Sequence, residues 1–303
     1  MKGFSISRRQ NVKENINRIL LGQVDYILEH CENDQKDMHA SIHEIRKSIK
    51  RIRAVLRLIR EEIGYSTYYR ENVFYRDMSR SISDLRTYNV LILSLENLLS
   101  DLSKNLPSKK VEPLIASIRL QRDNKLSEIL TDDKALRDLS VSFTEARKRI
   151  PDLPVEHDGF EVFAGGIFRM YQQGKDFLSS AQTETGTHLL HNMRKRMKYL
   201  WYQIEILKPI YPGALKAFAN SLEDISERLG IYHDLAVLSE FLQEHDGGLE
   251  GKIQETLQDA CEFKKSALLK GILRKAGTAF SEEPEALVQR MDEYWKVYYR
   301  QKS

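Results

Sequence analysis

Hydrophobic positions three and four residues apart recur through nearly the whole chain, and this spacing predicts helices rather than strands. The clearest run is 42–60, I-H-E-I-R-K-S-I-K-R-I-R-A-V-L-R-L-I-R. At about 100° per residue, Ile42, Ile45, Ile49, Ile52, Leu56 and Ile59 fall on one face. The same reading predicts helices over 8–31, 37–63, 65–102 (weakened near 83–89), 109–130 and 134–149. It continues over 160–181, 187–207, 214–243 (interrupted near Gly230), 249–275 and 282–300. Gly64 stands where a helix should stop, and Pro107 where the next should start. The stretch Ile150 to Gly159 holds two prolines and a glycine near the midpoint, and it reads as a linker between halves 1–150 and 151–303.

The polar side of 42–60 is unusual. His43, Arg46, Lys47, Lys50 and Arg57 lie opposite the apolar stripe, with Arg51 and Arg53 at its margins and Glu44 as the only acid. Like charges three and four residues apart oppose one another on a helix by a few tenths of a kcal/mol. A face built this way implies a ligand or partner of opposite sign. The whole chain carries only +3 formal charge over 303 residues, so the positive field must be local. The cysteines, Cys31 and Cys261, have neither metal nor redox spacing. No apolar leader opens the chain and no run of 18 apolar residues occurs, from which a soluble, cytoplasmic protein is expected.

The run recurs. The segment L-L-H-N-M-R-K-R-M-K-Y-L-W-Y-Q-I-E-I-L lies 148 positions later and overlays the first without a gap. His191, Arg194, Lys195 and Lys198 fall on His43, Arg46, Lys47 and Lys50. Leu190, Met193, Met197, Leu200, Ile204 and Leu207 repeat the apolar stripe. Agreement on both faces, with a linker at the midpoint, indicates an internal duplication. The copies diverge where Arg51, Arg53 and Arg57 meet Tyr199, Trp201 and Glu205, so the first half carries the longer cationic stripe. From His43 to Arg57 that stripe spans roughly 21 Å.

This constellation resembles the CHAD family, the conserved histidine α-helical domain. The pattern is His43-x-x-Arg46-x-x-x-Lys50-Arg51-x-Arg53 in one half and His191-x-x-Arg194-Lys195-x-x-Lys198 in the other. A further family feature, L-G-x-x-x-D-x-x-V, is met by Leu229-Gly230 through Asp234 and Val237. Its first-half counterpart, Ile82 to Leu91, has Thr87 in place of the aspartate. The resemblance implies an all-α fold of two four-helix-bundle-like halves, related by a pseudo-twofold around a basic central cavity. It also implies inorganic polyphosphate as the ligand, association with polyphosphate granules or with polyphosphate-metabolising enzymes, and no catalytic activity.

Elementary chemistry supports a polyanion independently. Phosphoryl oxygens take charge-assisted N–H donors, bidentate from arginine and point-like from lysine. A ligand with repeating charge suits a stripe. The candidate binding set is His43, Arg46, Lys47, Lys50, Arg51, Arg53, Arg57, His191, Arg194, Lys195 and Lys198. As imidazolium, the two histidines would add donors, and binding is expected to tighten in mild acid. Metal binding by His39 with His43, or His188 with His191, is disfavoured by the neighbouring cations. Neither a metal nor a cofactor is therefore expected. Asp224, Glu227 and Asp234 do not make a persuasive magnesium cluster for phosphoanhydride hydrolysis. Nucleic acid, stacked on Tyr199, Trp201 and Tyr202, competes less well, because aromatics at helical spacing usually pack inward. An acidic segment of a partner protein is a third reading.

Overall fold

The apolar stripes become the buried sides of helices. A computed structural model describes residues 3–32, 38–82, 86–102, 106–130, 133–183, 186–244 and 249–300. Among these residues there are twelve α-helices and no strand. The first half holds α1 (Val12–Glu32), α2 (Met38–Leu58), α3 (Arg60–Ile63), α4 (Tyr65–Ser81), α5 (Arg86–Leu102), α6 (Glu112–Leu130) and α7 (Asp133–Arg149). The second holds α8 (Glu161–Thr183), α9 (Thr187–Leu207), α10 (Pro212–Glu244), α11 (Gly251–Ala279) and α12 (Pro284–Arg300). Short 3-10 turns at Ser108–Lys110 and Lys208–Ile210 lead into α6 and α10.

Helices α2 and α9 lie at the centre and pack on each other. Their apolar stripes are almost wholly buried, from Ile42 to Ile59 on one and from Leu190 to Leu207 on the other. Each fully buried Ile or Leu contributes roughly 1.5–3 kcal/mol, so these two stripes are a large part of what holds the bundle. Around them, α1 and α4 pack on α2, while α8 and α10 pack on α9. The hydrophobic core does not divide at residue 150. One cluster runs from Phe4 to Trp295, and a second joins α5 and α6 of the first half to α10 and α11 of the second.

Two sequence expectations need correction. The helix expected over 37–63 turns at Ile59 (φ −100°, ψ 18°), giving α2 and the separate α3. There α8 approaches so closely that a Cβ at Gly166 would collide with the Leu58 backbone. Gly64, with φ 73°, does end the helix as expected, in a conformation that glycine adopts without strain. Secondly, α10 runs unbroken through Gly230 for 33 residues, because packing against α9 and α11 outweighs glycine's weak helix propensity. The connection over 150–159 is itself packed. Ile150, Leu153 and Val155 are buried, and the Val12 N–H donates to Asp158 Oδ1 at 2.6 Å. The Glu62 carboxylate also accepts the backbone N–H groups of Glu156 and His157.

Candidate anion-binding site

The buried isoleucine stripe fixes the rotation of α2, which turns the start of its cationic run toward α5 and the middle of α9. Between these three helices lies a cavity of about 400 Å³. Helix α2 gives it His43, Arg46, Lys47 and Lys50, and α9 gives Arg194 and Lys198 with Trp201 and Tyr202. Helix α5 closes the side with Asn89, Val90 and Leu93. No acidic residue lines the cavity among the described residues.

Six of the eleven predicted binding residues are thus brought together, and the other five are elsewhere. Arg51 turns toward α1, donating to Gln23 Oε1 at 3.3 Å with its guanidinium 5.6 Å from the Phe4 ring centre. Arg53 and Arg57 face α4 and the other side of α9, where Lys195 also lies; Arg53 Nε donates to Asn72 Oδ1 at 3.1 Å. Arg57 is 8% exposed, with its guanidinium 4.1 Å from the Tyr199 ring centre. His191 packs on His233 of α10 with ring centres 4.6 Å apart. Tyr199, Trp201 and Tyr202 are buried, as packing aromatics should be.

Several contacts hold the cavity's cations in place. Arg46 donates to the backbone carbonyls of Ser79 and Ile82 at 3.0 and 3.3 Å, at the end of α4 where the helix leaves its oxygens unsatisfied. Lys47 pairs with Glu44 at 3.1 Å. Burial works against Glu44 ionisation, but the bond from Lys47 and the charges of Lys47, His43 and Arg51 outweigh it, leaving its pKa below the usual value. Arg194 lies against the α10 backbone at Gly230, where a Cβ would be 3.2 Å from its Nε. The glycine makes room for the guanidinium.

Lys198 is the most electrostatically stressed of these groups. Burial, with help from the charges of Arg194 and Lys47, brings its pKa down from 10.5 to about 8, against the partial opposition of Glu223 and Glu227 on α10. Its Nζ lies 3.9 Å from the Trp201 ring centre, a cation–π contact that partly offsets the lost hydration. His191 departs from the sequence expectation. Burial, then Lys195, His233, Arg194 and His188, bring it down to about 4, so in the free protein it is neutral in mild acid and not an imidazolium.

Sequence reasoning passed over four features here. Arg196 was hidden because its counterpart in the overlay is Ser48, which is buried. His233 sat unremarked inside the quoted L-G segment. The contact of Arg194 with Gly230, and the side that α5 supplies, depend on which helices meet. Thr87 and His39, both weighed above, have side chains outside the described residues. No group of three or more metal-ligating side chains occurs among the described residues.

An all-α bundle with two central helices, each carrying a histidine-led basic run, is the class this fold and sequence define. The CHAD domain model matches residues 18–243, well over half of the chain, and the chain belongs to that family. Its fold is similar to the crystal structure of the CHAD domain from the plant Ricinus communis. The TM-score is 0.55 at 15% identity, covering 91% of this chain and 94% of that one. No curated protein matches the chain. No helix among the described residues is long and apolar enough to cross a membrane.

Proposed function

We propose that the cavity between α2, α5 and α9 binds a linear polyanion, inorganic polyphosphate, and that the protein acts by binding rather than by catalysis. The observation that carries this reading is the convergence of Arg46, Lys47 and Lys50 with Arg194 and Lys198 on one cavity with no lining acid among the described residues. Lys198, half-buried beside them, has its pKa lowered by burial first and by the charges of Arg194 and Lys47 after it. Phosphoryl oxygens would accept the guanidinium and ammonium donors gathered there. Membership of the CHAD family supports the same ligand class. On this reading the protein is cytoplasmic, with polyphosphate granules or polyphosphate-metabolising enzymes as its surroundings.

The test compares three charge-removing double variants by calorimetric titration with long-chain polyphosphate. Arg46→Gln with Lys50→Gln, and Arg194→Gln with Lys198→Gln, should each weaken binding at least tenfold. The exposed pair Lys109→Gln with Lys110→Gln should leave it within twofold. Equal mild losses in all three would reject the site. Competition with single-stranded RNA separates the ligands: RNA displacing polyphosphate at the lower concentration of charge would overturn the choice made here.

A further inference from the structure

On the opposite side of α9 from the cavity, four more cations gather: Arg53 and Arg57 from α2, Lys195 and Arg196 from α9. None of the four forms an ion pair with a carboxylate among the described residues. Asp77, the acid whose charge reaches Arg53, is already bound by Arg76 at 2.8 Å. Arg57 is 92% buried by its 8% exposure, and its hydrogen bond goes to the Arg53 carbonyl rather than to an acid. The Arg196 Nε is buried without a hydrogen-bond partner. Burial, then mutual repulsion, lowers the pKa of Arg53, Lys195 and Arg196; Tyr199 and Tyr68 are the groups that oppose it. A buried guanidinium without a counter-ion destabilises a fold unless something negative arrives.

What distinguishes this cluster from the cavity is its edge. On α4, Tyr65, Tyr69, Asn72 and Arg76 stand at helical spacing on one face, with Asn72 bonded to Arg53. Tyr65 and Tyr69 are 62% and 54% exposed, large aromatic surfaces left in solvent. Their ring centres are 5.9 Å apart with planes tilted by 31°. Arg60 lies 5.1 Å from the centres of both Tyr65 and Tyr68, which gives a flat guanidinium beside the exposed rings. Tyr68 in turn borders Arg53 and Arg196. A planar, stackable platform therefore adjoins an uncompensated cationic floor. Phosphate alone has no use for the platform, whereas a nucleobase stacks on tyrosine faces and guanidinium planes with little sequence preference.

We infer that this face is a nucleotide site, taking a nucleoside polyphosphate with its base on Tyr65 and Tyr69 and its phosphates on Arg53, Lys195 and Arg196, with the buried charge of Arg57 behind them. The site is separate from the polyphosphate cavity and does not depend on that assignment.

The test uses the whole chain in magnesium-free buffer, titrated calorimetrically with ATP and with inorganic tripolyphosphate, which matches the phosphates and lacks the base. ATP should bind about tenfold more tightly than tripolyphosphate, the scale of one base–aromatic stack. Tyr65→Ala with Tyr69→Ala, both exposed and so tolerated by the fold, should bring ATP to the tripolyphosphate level and leave tripolyphosphate itself unchanged. Lys195→Ala with Arg196→Gln, checked for an unaltered melting transition, should weaken both ligands. The cavity pair Arg46→Gln with Lys50→Gln should leave ATP binding unchanged, so a failure of the polyphosphate reading is visible separately. Equal affinity for ATP and tripolyphosphate, or indifference of ATP to the tyrosines, would overturn the proposal.

Discussion

Replacing Lys198 by methionine separates a ligand-binding lysine from a structural one, because the two roles predict opposite signs. The substitution keeps the stem against Trp201 and removes the charge. A pKa lowered from 10.5 to about 8 corresponds to roughly 3 kcal/mol against the ammonium form. Solvent screening at a half-buried position reduces this to about 1–2 kcal/mol. The penalty is fully present below pH 8, where both folded and unfolded chains hold the proton. It is lifted between pH 8 and 10.5 as the folded form releases the proton first. Lys198→Met should therefore raise the ligand-free protein's stability at pH 7 by about 1 kcal/mol, read by urea denaturation, with the gain vanishing near pH 10.5. Polyphosphate affinity should move the other way. If bound anion restores an ordinary lysine pKa, wild-type affinity falls about tenfold between pH 7 and pH 9, and Lys198→Met flattens most of that slope. A variant less stable at pH 7 would mean that the contact with Trp201 dominates and that the lysine is structural. An unchanged alkaline slope would refute the electrostatic argument.

Other expectations are as direct. Gly166→Ala should destabilise the fold by about 1–3 kcal/mol in urea unfolding, because the Leu58 backbone cannot yield and the clash outweighs alanine's helix preference. Glu71→Gln should cost about 2–3 kcal/mol, since the buried carboxylate is held at two points by Arg149 (3.2 and 3.0 Å) and also by Arg70. His191 should read as neutral imidazole at pH 6 by NMR. Its lowered pKa means that it contributes to a loss of stability as pH falls from 6.5 toward 4, where the unfolded chain takes the proton first. Polyphosphate affinity should fall steeply with salt, linearly in log–log form, as counterion release requires; a flat response would point to non-ionic contacts.

The apolar half of the design was legible because a 3.6-residue period admits one answer. Every stripe residue from Ile42 to Ile59 and from Leu190 to Leu207 is buried, and α9 begins and ends where its spacing said. The polar half was legible as charge but not as direction. Arg194 and Lys195 are neighbours in sequence and about 100° apart on the helix, so one joins the cavity and the other the opposite cluster. Arg57 looked like the exposed end of a stripe, yet Tyr199 covers it. Gly230 looked like a helix break, but its missing side chain admits Arg194. Each of these outcomes depends on a partner helix that periodicity does not name. Local pattern says which residues are inside, and tertiary contacts decide what the others face.

The tension first visible in 42–60 is explained by relative magnitudes. Like-charged neighbours on α2 oppose one another by a few tenths of a kcal/mol each, while each buried isoleucine beneath them contributes roughly 1.5–3. The helix is thus held from below strongly enough to carry a row of unfavourable charges above. Twisting those charges away into solvent would expose Ile45, Ile49 and Ile52, all fully buried. The cations are consequently fixed toward α1, α4, α5 and α9 whether or not anything is bound. Preorganisation of this kind places the unfavourable work in folding, so that, on the proposed function, a polyanion would meet donors already in position and gain their attraction without ordering them.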